Sequence, residues 1–387
     1  MPDIEWNKLG AYLKETQILG SIQNSLYWDQ NTEMPIKGAP WRTEQLTYIA
    51  KILHKRNSSE EFSNLIKSAE AELQDADINS DSIQSLNDKK RNIELLTREF
   101  NREKNLDPDL VVSLAKAKSK GYQSWQEAKR KSDFNIFLPF FEDLIKLRIE
   151  EAKQISDKYS PWETLAQPFE PEINLKWLNK MFQPLRKAIP SLIPEINKSK
   201  KSDWDLSPKS QKNLCSKLLD EFGRDKDLVV VAESPHPFSI TLGPGDYRIT
   251  TRIVKGEPFS SFLATAHEWG HSIYEQGLPS QSHQWFAWPL GQATSMGVHE
   301  SQSLFWENRI VKSKSFSERF FKNFEAEGCS LGNYLELWKS INHLEAGLNR
   351  VEADELTYGL HILIRTELEI DLIEGGLPAE DIPAEWN

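Results

Sequence analysis

The sequence has little cysteine, no long apolar run and no excess of basic residues. Its two cysteines, Cys215 and Cys329, provide neither a disulfide framework nor a thiolate zinc site, because both need several closely spaced cysteines. No stretch approaches the roughly 18 uninterrupted apolar residues that a membrane-spanning helix needs. A net charge of −11 at pH 7 argues against the basic face that nucleic-acid binding requires.

The first residues, Met1 to Glu5, contain neither the basic residues nor the apolar run of a signal peptide. We therefore predict a cytoplasmic protein that binds neither membranes nor nucleic acids. The 387 residues, 39% of them hydrophobic, are enough to build a large core.

Most of the chain carries the spacing of amphipathic helices. Apolar residues recur at helical intervals, as in Leu106, Leu110 and Leu114, which predicts a core-facing stripe. Strand signals occur in one part of the chain, where a Gly-Pro-Gly turn joins two of three apolar runs. These runs are residues 228–231, 238–242 and 247–251. We predict a mainly α-helical protein with a small antiparallel β-sheet.

The clearest chemical signal is the pattern His-Glu-x-x-His at residues 267–271, which lies among apolar residues that suit a helix. At 3.6 residues per turn, His267 and His271 share one helix face, where both imidazoles can bind one zinc ion. Glu268 lies beside that face and can reach a water molecule on the metal, so it is the candidate general base. The alternative is a surface helix with two histidines and no metal.

A third metal ligand has to come from another segment. Glu275 shares the helix face with His267, but it lies about 12 Å further along the axis, too far for bonds of about 2 Å. The best-placed carboxylate is Glu300, at the start of the next predicted helix. Five of the eight histidines fall between residues 236 and 299, which favours a functional pocket over a chance pattern.

Further motifs lie on both sides of the His-Glu-x-x-His pattern. They are Tyr27-Trp28-Asp29-Gln30, His236-Pro237-Phe238, Asp246-Tyr247-Arg248-Ile249-Thr250, His299-Glu300-Ser301-Gln302 and Arg350-Val351-Glu352-Ala353-Asp354. Together they resemble the carboxypeptidase Taq family of zinc metallocarboxypeptidases over nearly the whole chain. The resemblance implies an enzyme that releases C-terminal amino acids from peptides by attack of a zinc-bound water. It also implies one Zn²⁺ per chain, for which another divalent ion such as Co²⁺ can substitute.

The same resemblance implies a large helical, two-lobed fold around a deep cleft, and a homodimer. We expect one catalytic domain, residues 1–387, with sub-lobes of roughly 1–160 and 161–387. Members of the family continue beyond a segment like residues 381–387 into a region with a Gly-x-x-Gln-Asp-x-His-Trp motif, so the sequence predicts a C-terminally shortened member. Two alternatives stay open. One is a metal-binding homologue with weak or no activity, and the other is an oligopeptidase.

A carboxypeptidase needs a cation that holds the terminal carboxylate of its substrate. Arginine suits this role because its planar fork meets a carboxylate with two hydrogen bonds. The candidates are Arg248 and Arg350, each of which lies in one of the motifs. For Arg350, an ion pair with Asp354 one helical turn away is the structural alternative.

Two histidines in the motifs are candidates for substrate binding. His236 and His299 either donate to the oxyanion and the substrate backbone or orient Glu300 and the metal-binding histidines. For His299 the orienting role is favoured. Tyr358, which lies on a predicted helix, is interpreted as a packing residue.

The role of Glu268 predicts that activity and metal content separate in one variant. Glu268→Gln should retain zinc while hydrolysis falls by about 10²–10⁴-fold, the loss typical of a missing general base. Steady-state hydrolysis measured beside zinc content tests this. A glutamine variant with normal activity would contradict the role, and one without zinc would make Glu268 a ligand.

Overall fold

The computed structural model describes residues 4–74, 83–196, 205–348, 350 and 353–386. Helices dominate these residues, and three strands form one small sheet. The mainly α-helical fold with a small sheet, which the sequence predicts, is therefore confirmed. None of the helices in these residues is both long enough and apolar enough to span a membrane.

The chain divides into two compact units, of which the first contains Met1–Leu165, Leu242–Pro244 and Gly277–Thr294. The helices that lie wholly or mainly in it are α1 (Ile4–Asn31), α2 (Ala39–Asn57), α3 (Glu60–Gln74), α4 (Ile83–Lys104), α5 (Pro108–Lys131), α6 (Leu138–Ile155) and α7 (Pro161–Ala166). Aromatic stacking supports its core. Trp6 of α1 stacks on Trp288 with ring centroids 3.8 Å apart, and Tyr12 stacks on Phe62 at 5.2 Å.

The second unit contains Ala166–Thr241, Gly245–Gln276 and Ser295–Asn387. The remaining helices are α8 (Leu175–Ile196), α9 (Pro208–Glu221), α10 (Ser260–Gln276), α11 (Met296–Leu304), a π-helix (Phe305–Val311), α12 (Lys314–Ala326), α13 (Tyr334–Ile341), α14 (Glu355–Glu374) and α15 (Ile382–Trp386). The strands are β1 (Val229–Glu233), β2 (Ser239–Gly243) and β3 (Asp246–Thr251).

The sheet lies where the sequence predicts it, but its strands do not all run antiparallel. Its order is β1-β3-β2, and β1 pairs with β3 in parallel, with Val229 opposite Tyr247. The two-residue turn between β2 and β3 is one that only antiparallel strands can use. The sheet is therefore mixed, and the prediction of a purely antiparallel sheet is wrong. Apolar runs predict that strands exist, whereas the direction of β1 depends on how residues 234–238 lead the chain onward.

Helix α10 lies at the centre of the second unit and carries the His-Glu-x-x-His pattern. On one side, Trp269 packs with Val229 and Ile249 of the sheet. On another side, Phe262 packs against Phe320 of α12, with ring centroids 5.5 Å apart. Burial on two sides fixes the rotation of α10, and with it the direction in which the two histidines point.

Helices α10 and α11 approach each other very closely at Gly270. A Cβ atom at this position would lie 2.5 Å from the Cα of Ser303 and 2.6 Å from the carbonyl oxygen of Gln302. Real Cβ atoms are not found at such distances from backbone atoms. At the start of α11, Ser295 accepts a hydrogen bond from the backbone N–H of Val298, which caps the helix. The glycine thus allows the helix that carries Glu300 to pass directly over α10.

This close approach predicts the effect of adding one methyl group. Gly270→Ala should lower the free energy of unfolding by about 1–3 kcal/mol, because the two backbones have to move apart. The control is Gly20→Ala in α1, where nothing lies within 4 Å of the added Cβ. The control should be neutral or raise stability by up to about 1 kcal/mol, since alanine is the better helix former. Urea unfolding of both variants tests this, and equal stabilities would contradict the close approach.

Candidate metal centre

Three side chains from two helices converge in the second unit. His267 and His271 of α10 and Glu300 of α11 offer one ligand atom each, and these atoms all lie within 4.8 Å of one another. Oε2 of Glu300 is 3.6 Å from Nε2 of His267 and 3.3 Å from Nε2 of His271. Neighbouring ligand atoms in a tetrahedral zinc shell with bonds of about 2.0–2.1 Å are about 3.3 Å apart. The donor types and their spacing therefore fit a metal ion.

The charges around His267 also favour a cation. Burial lowers the pKa of the His267 imidazole, but hydrogen bonds to Glu300 and Glu307 outweigh burial and raise this pKa to about 10. Burial also raises the pKa of Glu300, yet its contacts with the two imidazoles hold it well below its usual range. Glu300 is thus an ionised carboxylate. The negative charge that retains a proton on His267 is equally suited to a divalent metal ion.

Glu307 holds the ring of His267 from behind. Its Oε2 atom is 2.9 Å from Nδ1 of His267, and Nζ of Lys312 is 3.5 Å from its other oxygen. This contact leaves Nε2 of His267 to face Glu300. None of the sequence motifs contains Glu307. Its position two helical turns after Glu300 on the same predicted helix is the signal that would have found it.

His299 lies between His271 and Glu275. Its Nδ1 atom is 2.6 Å from Nδ1 of His271, and its Nε2 atom is 2.8 Å from Oε1 of Glu275. Such a position would suit a residue that orients the ring of His271. Glu275, which the axial distance excludes as a ligand, thus reaches the site through a second imidazole.

Glu268 lies beside His267 in a cavity of about 230 Å³. The side chain is buried, and burial raises the pKa of its carboxyl group to about 7. A carboxyl group with a pKa near neutrality accepts and returns protons efficiently, as a general base must. His236, Arg350 and Tyr358 line the same cavity.

Tyr358 of α14 connects Glu300 with Arg350. Its hydroxyl group donates to Oε1 of Glu300 at 3.0 Å and accepts a hydrogen bond from Nη1 of Arg350 at 3.2 Å. Burial raises the pKa of Tyr358 to about 12, so the hydroxyl stays protonated and able to donate. The interpretation of Tyr358 as a packing residue is therefore wrong. Helical spacing gives its place on α14 but not its partner, which is 58 residues away in the sequence.

The two candidate arginines have different surroundings. Arg248 on β3 directs its fork at Asp246, with N···O distances of 2.8 and 2.9 Å, and these hydrogen bonds raise its pKa. Arg350 precedes α14, whereas Asp354 caps that helix, and the two form no ion pair. In the described part of the chain, no carboxylate forms an ion pair with Arg350. The cavity that contains Glu268 therefore contains one of the two candidates, Arg350.

His236 reaches the same cavity from the segment before β2. Its Nδ1 atom is 2.7 Å from the carbonyl oxygen of Pro237. The structure thus brings His236 and Arg350 to the cavity lined by His267 and Glu268. His299 lies behind His271, and Arg248 is paired with Asp246 on the sheet.

The model of the carboxypeptidase Taq (M32) metallopeptidase family matches residues 8–387. The chain belongs to this family. It is 33% identical to thermostable carboxypeptidase 1 of Thermus thermophilus, over 100% of this chain and 77% of the relative. It is 32% identical to carboxypeptidase 1 of Bacillus subtilis, over 94% of this chain and 72% of that protein.

Solved structures show the same similarity. Metallocarboxypeptidase 1 of Trypanosoma cruzi superposes with a TM-score of 0.85 and 28% identity, over 100% of this chain and 77% of the other. The M32 carboxypeptidase of Deinococcus radiodurans gives a TM-score of 0.84 and 26% identity, over 99% and 76%. The predicted family and the expectation of a peptide-hydrolysing metallocarboxypeptidase are confirmed. A metallopeptidase family implies a metal ion, which the donors of His267, His271 and Glu300 fit.

The hydrogen bond from Tyr358 to Glu300 predicts a measurable effect on metal binding. Tyr358→Phe removes the hydroxyl group and takes away the hydrogen-bond donor of the half-buried Glu300 carboxylate. We expect the dissociation constant for Zn²⁺ to rise by about tenfold, which corresponds to one hydrogen bond to a charged group. Competition with a chromogenic chelator measures this constant.

The matched control is Tyr274→Phe, one turn from His271 on α10. Its ring packs edge-on against His299, but its hydroxyl makes no hydrogen bond within the described residues. The control should bind zinc like the native protein. Equal affinities of the two phenylalanine variants would contradict a role of the Tyr358 hydroxyl at the metal centre.

Proposed function

We propose that this protein is a zinc-dependent carboxypeptidase, which releases single amino acids from the carboxyl termini of peptides. The observation that carries the proposal is the convergence of His267, His271 and Glu300 beside the buried carboxyl group of Glu268. Two imidazoles and one carboxylate are a common ligand set of catalytic zinc. Family membership supports the metal and the class of reaction, and the donor set favours zinc, with Co²⁺ as the expected substitute.

The zinc ion, when bound, supplies Lewis-acid chemistry that polarises a peptide carbonyl and makes water a better nucleophile at neutral pH. Glu268 takes a proton from the attacking water as the new C–O bond forms. The same carboxyl group then delivers this proton to the departing amine as the C–N bond breaks, so atoms and protons balance. Its buried position, with a pKa raised to about 7, suits both transfers.

Recognition of a free carboxyl terminus is assigned to Arg350. Its guanidinium group lies in the cavity with Glu268, and its planar fork offers two hydrogen bonds to a carboxylate. The hydrogen bond with Tyr358 fixes one edge of this group. His236, which lines the same cavity, is assigned to the substrate backbone or the oxyanion. Arg248 is the weaker candidate, because Asp246 already occupies its fork.

The metal assignment predicts about one zinc ion per chain, a zinc content that two variants should lower and a control variant should keep. His271→Ala should lose zinc, and Glu300→Gln should bind it more weakly, because a neutral amide is a poorer ligand than a carboxylate. The control is His283→Ala, a histidine that lies in the first unit. Elemental analysis of the purified proteins measures the metal, and a chelator should abolish hydrolysis. Equal zinc in all three variants would overturn the ligand set.

The assignment of the substrate carboxylate to Arg350 predicts that replacing Arg350 lowers kcat/KM more than replacing Arg248. Arg350→Ala should lower kcat/KM for a blocked dipeptide with a free carboxyl terminus by about 100-fold, through loss of hydrogen bonds to a charged group. Arg248→Ala should change it by less than about fivefold, since exposed ion pairs contribute little. A peptide amidated at its carboxyl terminus should be resistant to the native enzyme. The reverse order of the two variants would move the role to Arg248, and rapid cleavage of the amidated peptide would favour an oligopeptidase.

Three expectations rest on the family resemblance or on the sequence alone and stay predictions. They are the homodimer, the cytoplasmic location and the sub-lobes at residues 1–160 and 161–387.

A further inference from the structure

The carboxylate of Glu275, on the same face of α10 as the two histidines, has no role in the mechanism given above. Glu275 lies two turns after His267 and is not a ligand, yet its Oε1 atom accepts a hydrogen bond from Nε2 of His299 at 2.8 Å. Nδ1 of His299 is 2.6 Å from Nδ1 of His271. The three side chains form one continuous chain of short contacts, which ends at the Nε2 atom of His271 that faces Glu300 at 3.3 Å.

The direction of these hydrogen bonds follows from the first acceptor. An ionised carboxylate only accepts, so Nε2 of His299 carries the hydrogen that it donates to Glu275. In a neutral imidazole the other nitrogen, Nδ1, is then an acceptor. The Nδ1 atom of His271 must supply the hydrogen in the 2.6 Å contact between the two rings. The Nε2 atom of His271, which faces Glu300, then carries a lone pair and no hydrogen, which is the form that a metal ion binds.

We infer that Glu275 is a positioning residue, which acts through His299 to hold His271 in the tautomer with a free Nε2. This inference rests on the proposed metal site. His267 has a similar arrangement with no imidazole in between, because Glu307 contacts its Nδ1 atom directly at 2.9 Å. Each metal-binding histidine thus has a carboxylate behind it, one direct and one through a second imidazole. Such partners orient the ligand ring and fix its tautomer.

The surroundings of Glu275 and His299 are those of a fixed pair. The side chains are 24% and 13% exposed, which leaves limited access for water that would otherwise replace the contact. The ring of Tyr274 packs edge-on against His299 with centroids 5.0 Å apart. The other carboxylate oxygen of Glu275, Oε2, accepts a hydrogen bond from Oγ1 of Thr241 at 3.4 Å.

The test measures the zinc dissociation constant of the full-length chain at one fixed pH. Glu275→Ala removes the acceptor and should raise this constant by about 10- to 100-fold, the usual effect of losing a partner behind a ligand. Glu275→Gln keeps an oxygen acceptor, but its amide can also turn and donate. The zinc affinity of this variant should therefore lie between those of the native protein and Glu275→Ala. The control, Glu318→Ala, removes an exposed carboxylate of α12 and the same charge, and should leave the constant unchanged.

The outcomes separate this inference from the proposed function. If the native protein binds no zinc, both fail. If the native protein and Glu275→Ala bind zinc equally, the inference alone is overturned. Equal losses of zinc affinity in Glu275→Ala and Glu275→Gln would also overturn the inference, because the charge of Glu275 and not its hydrogen bond would then be responsible.

A second readout does not depend on metal affinity. With ¹⁵N-labelled histidine, the native protein should show His271 protonated at Nδ1, and Glu275→Gln should show a mixture of tautomers. The inference would be overturned if His271 of the native protein were protonated at Nε2 and His299 carried a hydrogen on both of its ring nitrogens. Because the glutamine side chain matches glutamate in shape, this measurement remains decisive even if the alanine variant fails to fold.

Discussion

The convergence of His267, His271 and Glu300 depends on the contact between α10 and α11 at Gly270. At that point the backbone of α11 occupies the place where a side chain of α10 would lie. The contact brings Glu300 to 3.3 Å from His271, although the two residues belong to different helices. Packing of Trp269 against the sheet and of Phe262 against α12 fixes α10 from two other sides. The spacing of the three side chains thus follows from how the helices pack.

Four glutamates surround the two histidines of α10, and their environments give them different properties. Burial raises the pKa of Glu268 to about 7. Burial acts in the same direction on Glu300 and Glu307, but hydrogen bonds from His267 outweigh it and lower the pKa of both carboxyl groups. Glu275 contacts an imidazole that in turn contacts His271. The same residue type thus has different surroundings at the four positions, which differ in burial and in the nearest imidazole.

Much of the fold follows from local patterns. The helix that carries His267 and the helix that begins before Glu300 are both predicted by periodicity and capping residues, as Ser295 at the start of α11 illustrates. The positions of the three strands also follow from their apolar runs. The pairing of β1 with β3 does not, because a parallel partner is chosen by the course of the connecting chain and leaves no turn signal between the two strands.

By itself, the sequence determined the family. It also determined which residues of the candidate site lie together on one helix face. His267, Glu268 and His271 share a helix face because of the 3.6-residue period, and Glu300 was the best-placed carboxylate on the next helix. Tertiary structure decided what faces them. The contacts of Tyr358 with Glu300, of Glu307 with His267 and of Glu275 with His299 join segments or turns whose approach depends on packing. A local pattern fixes the direction of a side chain relative to its own helix, whereas its partner is fixed by burial of the surrounding core.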